Sequence, residues 1–119
     1  MASAVKRKLS GSTDGKPIKV AATSTPGTTI HTAVASSTPG TFDEIWLFAY
    51  NSDNDDVQLT IEFGGTTAPD QNIVVVLSSK SGLQLIVPGL ILQNEAVVKA
   101  FAATANVITI SGFVNSITD

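Results

Sequence analysis

The stretch TFDEIWLFAYNSDNDDVQLTIEFGG, residues 41–65, decides the fold class of this chain. Residues 45–49 are continuously apolar, which is typical of a strand covered on both faces. Residues 58–63 alternate between polar and apolar side chains, which indicates a strand with one buried face. The polar residues 51–56, NSDNDD, lie between these segments and are turn formers. The stretch therefore predicts two strands joined by an acidic turn.

The rest of the chain continues this pattern of short apolar segments and turns. We expect strands at residues 17–23, 28–35, 42–51, 57–64, 72–79, 82–87, 90–92, 96–103 and 107–115. STPGT occurs twice and Pro88-Gly89 separates two apolar runs; Pro followed by Gly favours a type II turn. A short helix also fits residues 95–105, but the neighbouring segments favour a strand there. Without helices for parallel crossovers, the pattern predicts a mostly antiparallel sandwich or small barrel.

Composition restricts the possible functions. A chain of 119 residues is long enough for one domain with its own core, and the absence of cysteine excludes zinc-thiolate sites and thiol catalysis. We find no signal core and no apolar run long enough to span a bilayer, so no membrane partner is expected. Charged residues make up 14% of the chain, against roughly 25% in ordinary soluble domains. This low charge favours an assembly component over a free cytosolic enzyme.

The charges are unevenly distributed along the chain. The first 19 residues hold five of the seven basic residues and one acid, a net charge of +4, whereas the remainder carries -7. Residues 1–15 lack periodicity and are rich in Ser, Gly and charge, which predicts a flexible basic N-terminal arm before a sandwich domain at 16–119. Lys6, Arg7 and Lys8 suit an acidic protein surface better than nucleic acid, because no aromatic residues alternate with them.

The sole histidine, His31, is the first candidate for chemistry. Alternation places it on the face opposite Ile30, and no serine lies in a nucleophile-elbow sequence. We interpret it as a surface or interface hydrogen-bonding group, and we expect no catalytic residue.

The acidic turn is the second candidate. Asn51, Asp53, Asp55 and Glu62 match positions 1, 3, 5 and 12 of a calcium loop. Position 6 is Asp56 instead of Gly, and the flanking segments are strands, so Glu62 should point out from its strand. We expect a solvated turn, with no metal site and no cofactor.

The third candidate is an aromatic row. Trp46, Phe48 and Tyr50 share one face of their strand. Such a row is typical of a buried core, with a carbohydrate platform as the alternative.

Several strings, in this order, resemble small structural proteins of tailed bacteriophages, in particular capsid decoration or cement proteins. They are DGKPIKVAAT (14–23), PGTTIHTA (26–33), DEIWLFAYN (43–51), LTIEFGG (59–65), VPGL (87–90) and Asn106 through GFVN (112–115). The resemblance covers most of the chain from about Asp14 onward. It implies a jelly-roll-like β-sandwich that assembles as homotrimers on the outside of the head, with the major capsid protein as its partner.

The expected function is then that of a non-enzymatic virion protein. It would bind the capsid exterior as an oligomer and stabilise the expanded shell, with Lys6, Arg7 and Lys8 as the shell contact. The alternative is a low-copy tail or fibre β-module that binds host glycans. Exposure of Trp46 or Tyr50 on the surface would favour that alternative.

Overall fold

A computed structural model describes residues 2–119 as two antiparallel β-sheets packed against each other. The strands are β1 (Ser3–Lys8), β2 (Ile18–Lys19), β3 (Thr28–Thr32), β4 (Phe42–Asn51), β5 (Val57–Phe63), β6 (Asn72–Leu77), β7 (Gln84–Leu92), β8 (Val97–Ala102) and β9 (Ile108–Thr118). No helix occurs in this part of the chain, and hence none with the length and hydropathy to cross a membrane. The all-β, antiparallel sandwich prediction is confirmed for these residues.

The two sheets are named here sheet A and sheet B. Sheet A has the strand order β1-β9-β4-β7, with β2 also paired to β9, and sheet B has the order β3-β8-β5-β6. β4 is the centre of sheet A, because it pairs with β9 along its whole length and with β7 on its other side. The edges of the sheets are therefore β1 and β7 in sheet A, and β3 and β6 in sheet B.

The core between the sheets is aliphatic. In β4 the side chains of Ile45, Leu47 and Ala49 face this core and are fully buried. Trp46, Phe48 and Tyr50 lie on the opposite, outer face and are half-buried. The prediction that the aromatic row forms core is therefore wrong. A two-layer sandwich covers only one face of each sheet, so even a continuously apolar strand keeps one face toward the outside.

The N-terminal segment differs from the predicted flexible arm. Of residues 1–15, Met1 lies outside the described residues, and β1 pairs antiparallel with β9 from Ser3–Thr118 to Lys8–Phe113. The side chain of Leu9 is only 1% exposed and packs in the core, and Gly11 N–H donates to Ile30 C=O. The β1 side chains are all exposed, so main-chain pairing holds this strand and leaves no apolar periodicity in the sequence. The folded body thus begins before residue 16.

The predicted turn at Pro88-Gly89 is also corrected. Residues 82–87 and 90–92 were expected as separate strands, but β7 runs through both. Ile45 pairs with Leu90 and Trp46 with Pro88, which leaves Gly89 as an extra, bulged residue with φ +79. Pro is tolerated there because β7 is an edge strand and a bulge already interrupts the ladder.

Candidate functional site

A buried His–Asp pair joins the two sheets. His31 on β3 and Asp43 on β4 are 4% and 3% exposed, and His31 Nε2 lies 2.7 Å from Asp43 Oδ2. A register shift in β3 between Thr29 and His31 turns both Ile30 and His31 inward. Regular alternation had predicted opposite faces for these two residues, so the interpretation of His31 as a surface group is wrong.

Every polar atom of this pair has a hydrogen-bond partner. Ser10 N–H donates to His31 Nδ1 at 2.9 Å, so Nδ1 carries no proton and Nε2–H donates to Asp43. Asp43 Oδ2 also accepts the N–H of Val34 at 3.2 Å, and Oδ1 accepts the Ser116 hydroxyl at 2.7 Å. Because both ring nitrogens are used, neither can bind a metal ion without breaking one of these contacts.

A cleft of about 450 Å³ opens beside the pair. Its lining includes Arg7 and Lys8 of β1, Thr32 and Val34, and Thr118 at the end of β9. Two of the three basic residues singled out from the sequence therefore border a concave surface.

The predicted contact residues Lys6, Arg7 and Lys8 all lie on the exposed strand β1. Lys8 Nζ donates to Ser12 C=O at 2.9 Å, and Lys6 Nζ lies 4.2 Å from the centroid of the Phe113 ring. Within residues 2–119 none of the three forms an ion pair with a carboxylate. They present positive charge on an ordered edge strand, where a partner surface can reach it.

Polar groups of the acidic turn form hydrogen bonds within the protein. The buried amide of Asn51 donates to the carbonyls of Asp55 and Leu77, both at 2.9 Å, and its Oδ1 accepts the N–H of Asp53. Nothing in residues 2–119 groups three or more His, Asp or Glu side chains suitably for a metal ion.

Glu62 points out from β5, as predicted, but it is buried beneath a neighbouring loop. Its carboxylate accepts the Gly27 N–H at 2.6 Å and the Thr25 hydroxyl at 2.5 Å. The sequence contains no local signal for this contact, because the loop that covers Glu62 lies more than thirty residues earlier.

The outer face of sheet A carries an aromatic pair next to a carboxylate. Trp46 and Phe113 stack with ring centroids 6.1 Å apart and planes at 13°. Asn115 Nδ2 and Trp46 Nε1 both donate to Glu44 Oε1, at 3.0 and 2.8 Å. These two hydrogen bonds hold the pKa of Glu44 below its ordinary value of 4.5, and the bond from Asn115 has the larger effect. Glu44 is therefore ionised at neutral pH.

A set of exposed aliphatic side chains, not predicted from the sequence, lies on and next to the edge strands β6 and β7. These side chains are 43–59% exposed: Val74, Val76, Leu83, Leu85, Leu90 and Ile91. Neither strand contains a charged residue. The sequence signal was the run IVVVL in β6, which suits a partly covered edge strand as well as a central one. We call these six residues the apolar edge residues.

Comparison with protein-family models, curated proteins and solved structures gives no match for this chain.

Proposed function

We propose that this chain is a structural protein of a tailed-phage virion, a capsid decoration or cement protein that stabilises the expanded shell from outside. The observation that carries the proposal is the set of apolar edge residues. These six aliphatic side chains lie on and beside two uncharged edge strands and still expose about half of their area. Uncharged aliphatic edge strands favour pairing with a further strand, and an assembly component can bury them in contacts between copies.

The strand order supports the jelly-roll connectivity that the resemblance implies. β1 and β2 both pair with β9 and can be counted as one interrupted strand. The chain then alternates between the sheets, with β5 and β6 as the one consecutive pair that stays in the same sheet. Two four-stranded antiparallel sheets whose connections pass repeatedly from one sheet to the other are typical of jelly rolls.

The proposed mechanism is mass action. Each copy adds interface across neighbouring subunits of the expanded shell, and a protein that binds only this form stabilises it. Lys6, Arg7 and Lys8 supply the contact with an acidic patch on the major capsid protein, and self-association multiplies that contact. No catalysis is required, and the structure commits both nitrogens of His31 and the carboxylate of Glu62 to internal hydrogen bonds.

Quantitative mass spectrometry of purified virions tests the proposal. A copy number comparable to that of the major shell protein is expected, and virions without this chain would overturn the proposal.

The shell contact is tested by binding of the triple variant Lys6→Gln, Arg7→Gln, Lys8→Gln to expanded heads. We expect weaker binding than for a control with Lys16→Gln and Lys19→Gln, which removes charge from exposed positions outside β1. Equal binding would exclude the basic strand as the contact.

A tail or fibre module that binds host glycans is the second candidate. The observation in its favour is the half-exposed Trp46–Phe113 stack beside the ionised Glu44, since sugars bind to aromatic faces flanked by hydrogen-bonding groups. The same copy-number measurement separates the two candidates, because a tail or fibre protein is present in only a few copies per particle.

A further inference from the structure

We propose that β6 pairs with β6 of a second copy of this chain, antiparallel about a two-fold axis. The two four-stranded B sheets would then become one continuous sheet of eight strands. This proposal deepens the self-association part of the proposed function, on which it rests, with a two-fold dimer in place of the trimer that the resemblance implies, and it does not depend on binding to a shell.

The four sheet edges differ in how well they are protected from pairing. β1 carries Lys6, Arg7 and Lys8, which repel a second copy of the same strand. β3 has a register shift, and β7 has two shifts as well as Pro88. β6 alone has an unbroken register, from Val57–Leu77 to Glu62–Asn72, with neither proline nor charge. The edges at β1, β3 and β7 are thus protected from pairing with another strand, and the edge at β6 is not.

The hydrogen-bond pattern shows which groups this open edge presents. Phe63 N–H donates to Gln71 C=O at 2.7 Å, so Gln71 is in a hydrogen-bonded pair with β5. Antiparallel pairs alternate, so Ile73, Val75 and Leu77 also turn their main-chain groups toward β5, and Val74 and Val76 turn theirs away. Among residues 2–119 no other main-chain group bonds to Val74 or Val76. Their N–H and C=O groups form an unused ladder.

A second β6 is complementary to this ladder. A two-fold axis at Val75 sets Val74 of one copy opposite Val76 of the other, which satisfies the free donors and acceptors of both. Their side chains, each more than half exposed, then cover one another on the outer face of the joined sheet. The same axis brings the exposed Asp70 end of one copy beside the exposed Lys80 end of the other, so opposite charges flank the neutral centre.

A cysteine at the axis tests this geometry directly. The chain contains no cysteine, so the thiol of a Val75→Cys variant can form a disulfide only with its copy. Residues opposite each other in a non-hydrogen-bonded pair have Cα atoms about 4.5 Å apart, within the range that a disulfide spans. On mild oxidation of the full chain we expect at least about tenfold more cross-linked dimer than from Val5→Cys, an exposed valine on the charged β1 edge. Equal yields would overturn the proposal.

A second pair of variants measures the association itself. Val74→Lys with Val76→Lys places four like charges across the axis and should halve the molar mass found by light scattering, whereas Val5→Lys should leave it unchanged. All three valines are exposed, so these variants should fold, which circular dichroism checks. An unchanged molar mass would overturn the β6 contact. A trimer that does not cross-link through Val75→Cys would overturn it too and leave the shell role standing, whereas virions lacking the chain would overturn only the shell role.

Discussion

Asp43 accepts hydrogen bonds from three different segments: the ring of His31, the main chain of Val34 and the hydroxyl of Ser116. His31 in turn accepts the N–H of Ser10, which connects the N-terminal segment to the same group. Because the carboxylate is buried, its removal leaves these donors without their protein acceptor. A single side chain thereby ties both sheets and both ends of the chain together.

We therefore expect Asp43→Ala to lower the free energy of unfolding by about 3 kcal/mol or more, since it leaves several buried donors unsatisfied. Urea unfolding measures this change. Asp55→Ala, at an exposed position of the acidic turn, is the matched control and should stay within about 0.5 kcal/mol of the wild type. Similar values for the two variants would show that the Asp43 network contributes nothing to stability.

The inward orientation of the His31 side chain could not be predicted from the sequence. Alternation placed Ile30 and His31 on opposite faces, but the register shift in β3 turned both side chains inward. That shift depends on pairing with β8 and on the presence of Asp43 in the other sheet, neither of which is local in sequence. The basic residues of β1 were identified from sequence because charge clustering is local.

At the scale of elements, β4 was predicted with its observed bounds, since turn formers flank it and its apolar run is continuous. The two faces of this strand differ in composition: the buried residues Ile45, Leu47 and Ala49 are aliphatic, and the residues between them are aromatic. β7 was predicted as two strands because Pro-Gly is compatible with a turn and with a bulge. The partner strand β4, which runs past this dipeptide, decides between them.

The bulge at Gly89 gives a prediction for β7. A Cβ at this position would lie 2.9 Å from the Trp46 ring, and φ is +79, so Gly89→Ala adds a steric contact to backbone strain. We expect a loss of about 2–3 kcal/mol in the free energy of unfolding, measured from the fluorescence of Trp46, the only tryptophan. Gly82→Ala has a similar φ of +86 but open space around it, and should cost about 1 kcal/mol. Equal losses would exclude the contact with Trp46 as a cause.

At the scale of the whole molecule, the N-terminal segment has two separate roles. Its side chains at Lys6, Arg7 and Lys8 are exposed and available to a partner, whereas Leu9 immediately after them is buried in the core. The sequence did not reveal this division, because one apolar residue in a polar segment forms no pattern, and the pairing of β1 with β9 joins opposite ends of the chain. Deleting residues 1–15 would therefore disturb folding and binding together.

Point substitutions can separate the two roles. Leu9→Ala removes a fully buried side chain and should lower the free energy of unfolding by about 2–5 kcal/mol, and it should speed hydrogen exchange of the β1 amides. Val5→Ala, on the same strand but exposed, should change stability by less than about 0.5 kcal/mol, and the Lys6, Arg7, Lys8 triple variant should also keep the wild-type stability. If Leu9→Ala and Val5→Ala unfold alike, residues 1–15 act as an arm independent of the sandwich, and β1 cannot be the ordered platform from which the basic residues contact a shell.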